Sequence, residues 1–131
     1  MYRCLLLGVF VLVGCQSEPP PDFSGLTMDQ LRTKMSDPDP GVRWHAVFEA
    51  EHRDGQTVQV VKTLTALLQD ENVEVRRVTT QALSSVLMDV KPPYPEEVQQ
   101  AIQALRDNED PDEVVQAGVR IALRVVDIKQ K

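Results

Sequence analysis

Residues 70–87 read DENVEVRRVTTQALSSVL, a short acidic turn followed by a run with a strict apolar rhythm. Val75, Val78, Thr79, Ala82, Leu83 and Val86 recur at i, i+3, i+4, i+7, i+8 and i+11, which lays one apolar stripe along a helix. The same phrase stands earlier as DPDPGVRWHAVFEA (37–50) and later as DNEDPDEVVQAGVRIAL (107–123). Three copies of one unit predict a repeat protein.

Placing Val42, Val75 and Val114 at one equivalent position gives intervals of 75 − 42 = 33 and 114 − 75 = 39 residues. On this alignment Asp37, Asp70 and Asp107 open the three turns, and the third turn carries two extra residues. Ala46, Thr79 and Gly118 share one small-residue position, where two helices approach closely. Each unit also has an upstream apolar helix, marked by Leu31 and Met35, by Val61, Leu64, Leu67 and Leu68, and by Val98, Ala101, Ile102 and Leu105. Thr27, followed by Asp29 and Gln30, is an N-cap candidate. Asp54-Gly55 separates units one and two as a turn, and KPPYP (91–95) stops one helix and starts the next. The expected fold is therefore all-α, with helical pairs over about 27–53, 56–90 and 94–128. A four-helix bundle is the rival architecture, but it leaves the repeated phrase unexplained.

These residues resemble the HEAT repeat, in the bacterial form also found in phycobilisome-lyase-like proteins. The shared pattern is Asp-x-x-x-x-Val-Arg-x-x-Ala behind a Leu-rich helix. Val42-Arg43 and Val75-Arg76 fit it; Val115 stands where the third Arg belongs. The resemblance implies a short right-handed α-α superhelix, an α-solenoid, in which each unit buries its faces only against its neighbours. It also implies that Asp37, Arg43, Asp70 and Arg76 form a structural ladder between units, and that unit three ends the stack. Finally, it implies that the second helices line the concave side, where proteins of this kind hold protein partners.

The N-terminus carries an address. Arg3 is the only charged residue before Cys15, and LLLGVFVLV (5–13) is an apolar run of nine residues. A bilayer-spanning helix needs about 20 residues. The run has the length of a signal-peptide apolar region. It ends in Leu12-Val13-Gly14-Cys15, which resembles the lipobox of bacterial lipoproteins. That resemblance implies a signal peptide over 1–14, diacylglyceryl transfer to the Cys15 thiol, cleavage before it, and acylation (a palmitate-type chain) of the new N-terminus. Gln16 after the Cys implies, in enteric-type sorting, an outer-membrane protein facing the periplasm of the cell envelope. Residues 15–26 then form the lipidated Cys and a tether, with Pro19, Pro20 and Pro21 extended.

Composition narrows the partner. The formal charge is −6, and −7 for a 117-residue chain beginning at Cys15. An acidic chain without a Lys/Arg cluster does not fit nucleic-acid binding. Both cysteines lie in the first fifteen residues, so the body has neither a disulfide framework nor a cysteine metal site. No phosphate loop or nucleophile motif is present, and no catalytic residue or cofactor is assigned.

One titratable constellation stands out. His45, Glu49 and His52 share a helix face, and Glu49-x-x-His52 has the spacing of a carboxylate-bridged di-iron ligand pair. They define an alternative function as a metal-binding enzyme or enzyme accessory, lyase- or hydroxylase-like. HEAT-type hydroxylases, however, bind iron through adjacent His-Glu pairs, and none occurs here. The plainer reading is that unit one lacks an N-terminal neighbour and so carries polar residues where units two and three are apolar.

The leading expectation is thus a membrane-anchored scaffold for an unidentified protein partner. The outward strip of the second helices reads Trp44, Val47 and Phe48; Arg77, Thr80 and Gln81; then Gln116, Val119 and Arg120. Trp44, Phe48, Arg77, Gln81 and Arg120 are the partner-binding candidates, an aromatic and arginine mixture of the kind found in binding hot spots. Alternatively, Trp44 packs under the tether against Phe23 and only completes the core.

Overall fold

The computed structural model describes residues 19–131, and Cys15 with the signal-peptide region lies outside them. Six α-helices make three antiparallel pairs: α1 (Met28–Lys34) with α2 (Pro40–Glu51), α3 (Thr57–Ala66) with α4 (Val73–Asp89), and α5 (Glu96–Arg106) with α6 (Glu113–Lys129). No strand occurs among the described residues. The fold is an α-solenoid, as the repeated phrase predicts. The second helices stack as one layer, α2 on α4 on α6, while α3 packs on α5 in the other layer. Leu31, Leu64, Leu68, Leu83, Leu87 and Leu105 are fully enclosed between the layers.

Local chemistry sets the ends of these helices. Thr27 and Gln30 form a reciprocal capping box at α1: the Gln30 N–H donates to Thr27 Oγ1, and the Thr27 N–H donates to Gln30 Oε1. Gly55 turns the chain between units one and two at φ +73°, a backbone conformation that costs glycine least. At the far end, Lys129 Nζ donates to the carbonyls of Leu87, Met88 and Val90, satisfying the open C-terminus of α4 and pinning α6 to it.

The second helices each start on an Asx cap. Asp39 accepts from the Gly41 N–H at 2.7 Å, Asn72 from Glu74 and Val75, and Asp112 from Val114 and Val115. These caps fix the true register. Three residues beyond them stand Val42, Val75 and Val115, so the third copy sits one residue later than the alignment on Val114. Val115 is fully buried, whereas Val114 is 55% exposed. The Val114-Val115 doublet hid the slip, because either valine satisfies the phrase. With the register corrected, Gln116 takes the Arg position and Gly118 aligns with His45 and Val78. Asp110, two residues before its cap, matches Asp37 and Asp70, and Asp107 does not.

Gly118 still marks a close approach, though at a different register position from the one expected. A Cβ there would lie 2.3 Å from Thr80 Oγ1 and 2.8 Å from Thr80 Cβ. The axis of α6 therefore comes within reach of α4 only because residue 118 has no side chain.

Candidate functional site

Arg43 reaches forward from unit one to Asp70 of unit two. Its Nε and Nη2 each donate to one Asp70 oxygen at 2.8 Å, and Nη1 donates back to the carbonyls of Asp37 and Pro38. Both side chains are 7% exposed. The fork leaves few guanidinium protons without a partner, and the Asp70 carboxylate beside it pushes the guanidinium pKa further up. Arg76 repeats the arrangement one unit on, donating to Asp110 and to the carbonyls of Asp70 and Glu71. The ladder thus runs Arg43–Asp70 and Arg76–Asp110.

Asp37 is not a rung. Its carboxylate accepts from the Asp39 N–H, and no Arg side chain donates to it among the described residues. It belongs to the first described unit, and among the described residues no earlier second helix offers it an Arg. At the other end Gln116 only turns back on its own loop, donating to Asn108. With Gln116 in place of an Arg, the ladder among the described residues ends at Asp110.

The partner-binding candidates divide. Arg77 is not available: Nε and Nη2 fork onto Asp112 at 3.0 and 2.6 Å, and Nη1 donates to Glu74. The Arg77 guanidinium, with the N–H groups of Val115 and Val114, holds the Asp112 carboxyl well below the usual carboxylate range. Arg77 is therefore a clamp between units two and three. Val47, Thr80 and Val119, expected on the outward strip, are buried. Val47 and Thr80 lie on the sides of α2 and α4 that meet the next helix, and Val119 belongs to the α6 core stripe once the register is corrected. Gln81 and Arg120 are exposed, as expected.

Trp44 and Phe48 form a separate corner. Trp44 is half-buried and stacks on His45 at a ring separation of 3.6 Å. Both aromatics line a small cavity with Pro20, Pro21 and Phe23. Phe23 is 8% exposed, its carbonyl accepts from Arg53, and Lys34 stands over its ring. Residues 19–27 therefore lie as a strap against unit one. Trp44 thus stands beside the tether, as the alternative expects, but it is half-buried and not part of the enclosed core.

His45, Glu49 and His52 do not converge. Each imidazole Nδ1 is 2.8 Å from the carbonyl one turn back, Gly41 for His45 and Phe48 for His52. Glu49 pairs with Arg53 at 3.0 Å. Among the described residues no group of three His, Cys, Asp or Glu side chains stands close enough to hold a metal ion.

A feature missed in the sequence is the distribution of exposed large apolar residues. Phe48, Met88, Val114, Ile121 and Ile128 are each more than half exposed, and all lie on the second helices. Val114, Ile121 and Ile128 follow the Asp112 cap by two, nine and sixteen residues, one line along α6. Phe48 stands nine residues after its cap and Met88 sixteen after its own, so both fall on the same register. Between α4 and α6 this face opens as a groove of about 730 Å³ lined by Val78, Gln81, Met88, Val114, Gly118 and Ile121. The signal was present in the sequence, but the one-residue slip in unit three hid it.

The model of the HEAT repeats matches residues 28–124, which is most of the chain. The chain belongs to the HEAT-repeat family. No curated protein and no solved structure matches it. HEAT repeats generally mediate protein–protein interaction, and that general role applies to this chain.

Proposed function

We propose that this chain is a lipid-anchored scaffold of the bacterial cell envelope that holds a protein partner along the exposed face of α4 and α6. The alignment of the exposed large apolar residues on one register of the second helices carries the reading. Scattered exposed apolar residues are ordinary, but a contiguous row beside a groove is the mark of an interaction surface. Gln81 and Arg120 border the row and supply polar contacts at its rim. The partner is expected to present an apolar ridge, such as the apolar face of a helix, to this groove.

A photo-crosslinking residue at Gln81, with capture from the native envelope, tests the surface. The expected result is one discrete adduct, lost in Val114→Glu/Ile121→Glu with an unchanged melting curve. Undiminished adduct in that variant would overturn the surface. Support for the anchor comes from the lipobox-like Leu12-Val13-Gly14-Cys15 and the apolar run before it. Cys15→Ser is expected to leave an uncleaved precursor, and a variant that matures and partitions like the wild type would refute the anchor. A metal-dependent role finds no support in the geometry of His45, Glu49 and His52.

A further inference from the structure

We propose that the unit-one end of the solenoid is seated on the lipid surface, with Trp44 and Phe48 at the headgroup level. The proposal rests on the reading of Cys15 as the point of lipid attachment. Only four peptide steps separate Cys15 from Pro19, where the described chain begins. Fully extended, they reach about 14 Å. The strap is held by the body from Phe23 on, eight peptide steps or about 28 Å of extended chain from Cys15, and on the way Pro20 and Pro21 lie beside Trp44 and Phe48. The Phe23 ring is enclosed, Arg53 Nη2 donates to the carbonyls of both Phe23 and Ser24, and the Leu26 N–H closes a turn onto Phe23.

The leash therefore starts at the corner where Pro20 and Pro21 line one cavity with Trp44 and Phe48. An α6 of seventeen residues is about 25 Å long, so a leash of at most about 28 Å from Phe23 favours this corner, rather than the far end of the stack, as the part nearest the lipid. The corner that must stay close to lipid is also the one that carries an exposed aromatic ring: Phe48 is 53% exposed, and His52 beside it is exposed too. Aromatic side chains with a polar edge or neighbour suit the layer between water and acyl chains.

Charge selects the lipid. The turns between the paired helices hold Asp37, Asp39, Asp70, Glu71, Asp107, Glu109, Asp110 and Asp112 along one edge. Asp70, Asp110 and Asp112 are paired with arginines, but the other carboxylates leave that edge net negative; anionic headgroups repel it, so the surface that fits is zwitterionic phospholipid.

Trp44 is the only Trp in the chain and reports its own depth. The helices and the buried core lie within residues 23–129, so a chain beginning at Cys15 retains the whole fold and carries a single thiol. That thiol is coupled to a maleimide lipid in phosphatidylcholine vesicles brominated near the headgroups. Tethering is expected to lower Trp44 fluorescence at least about twofold relative to unbrominated vesicles. Phe48→Asp, at an exposed position, is expected to abolish the quenching while the protein stays tethered and melts as before. Equal fluorescence in brominated and unbrominated vesicles would overturn the seat, as would quenching unaffected by Phe48→Asp. The coupling is chemical, so the result does not depend on lipidation in the cell. Mass analysis of Cys15 in envelope-purified protein tests that reading separately.

Discussion

Arg43 and Asp70, 27 residues apart in sequence, form a two-pronged ion pair that ties unit one to unit two, and the same guanidinium holds two carbonyls of its own turn. Deleting the Arg would strand an enclosed carboxylate and leave two carbonyls without their donor. Arg43→Ala is expected to cost about 2–3 kcal/mol, between the limits for exposed and fully buried pairs. Chemical denaturation of Arg43→Ala, Asp70→Ala and the double variant checks this. The double variant should lose clearly less than the sum of the two single ones.

Gly118→Ala tests the approach of α6 to α4. Alanine favours a helix interior by about 1 kcal/mol, so on propensity alone the change would stabilise. Packing opposes it, because rotating the Thr80 hydroxyl away does not move the Thr80 Cβ, 2.8 Å from the new methyl. Overpacking of this kind costs about 1–3 kcal/mol. A net loss in melting temperature is expected, and Thr80→Gly in the same chain should recover part of it.

Acid sensitivity should report the Arg77–Asp112 clamp. The folded-state pKa of Asp112 lies below its unfolded value near 3.9, first because Arg77 donates to it and then because the Val115 N–H does. The clamp therefore contributes its full stability above about pH 4 and loses it as pH falls through the depressed folded value. Arg77→Gln removes the leading cause. Its denaturation midpoint should start lower than that of the wild type at pH 6, and the gap should narrow toward pH 2.

The strap makes a fourth prediction. Phe23→Ala removes an enclosed ring, and burial of that kind is worth about 3 kcal/mol. Proteolysis should then cut within residues 19–26 much faster than in the wild type. Equal cutting rates would show that Phe23 does not hold the strap.

Much of the fold was legible in the sequence because a solenoid repeats its instructions. The stripe through Val75, Thr79, Ala82 and Leu83 appears in full in unit two, and the capping box at Thr27 is written in four residues. The site was less legible, for two physical reasons. A valine doublet leaves the register of α6 open by one residue, and one residue turns a helix by about 100°. That rotation moved Val114 from the core stripe to the surface. The destination of Arg77 was also hidden: its partner Asp112 lies 35 positions away, and helical spacing within one unit cannot show a bond to the next.

The mismatch between the two ends has a consequence for assembly. Units that stack head to tail could also join copies of the chain, and a repeated non-closing contact of that kind grows into an open filament. The first turn offers Asp37, a carboxylate that no Arg side chain occupies among the described residues, and a second molecule with Arg at position 116 could supply the missing prong. Gln116 withholds it. Arg120, Arg124 and Asp127 are exposed along α6, and the strap lies across unit one at the opposite end. The Arg–Asp contact that joins each unit to the next is thereby not offered between copies of the chain, because the last described unit lacks the prong that the first could accept.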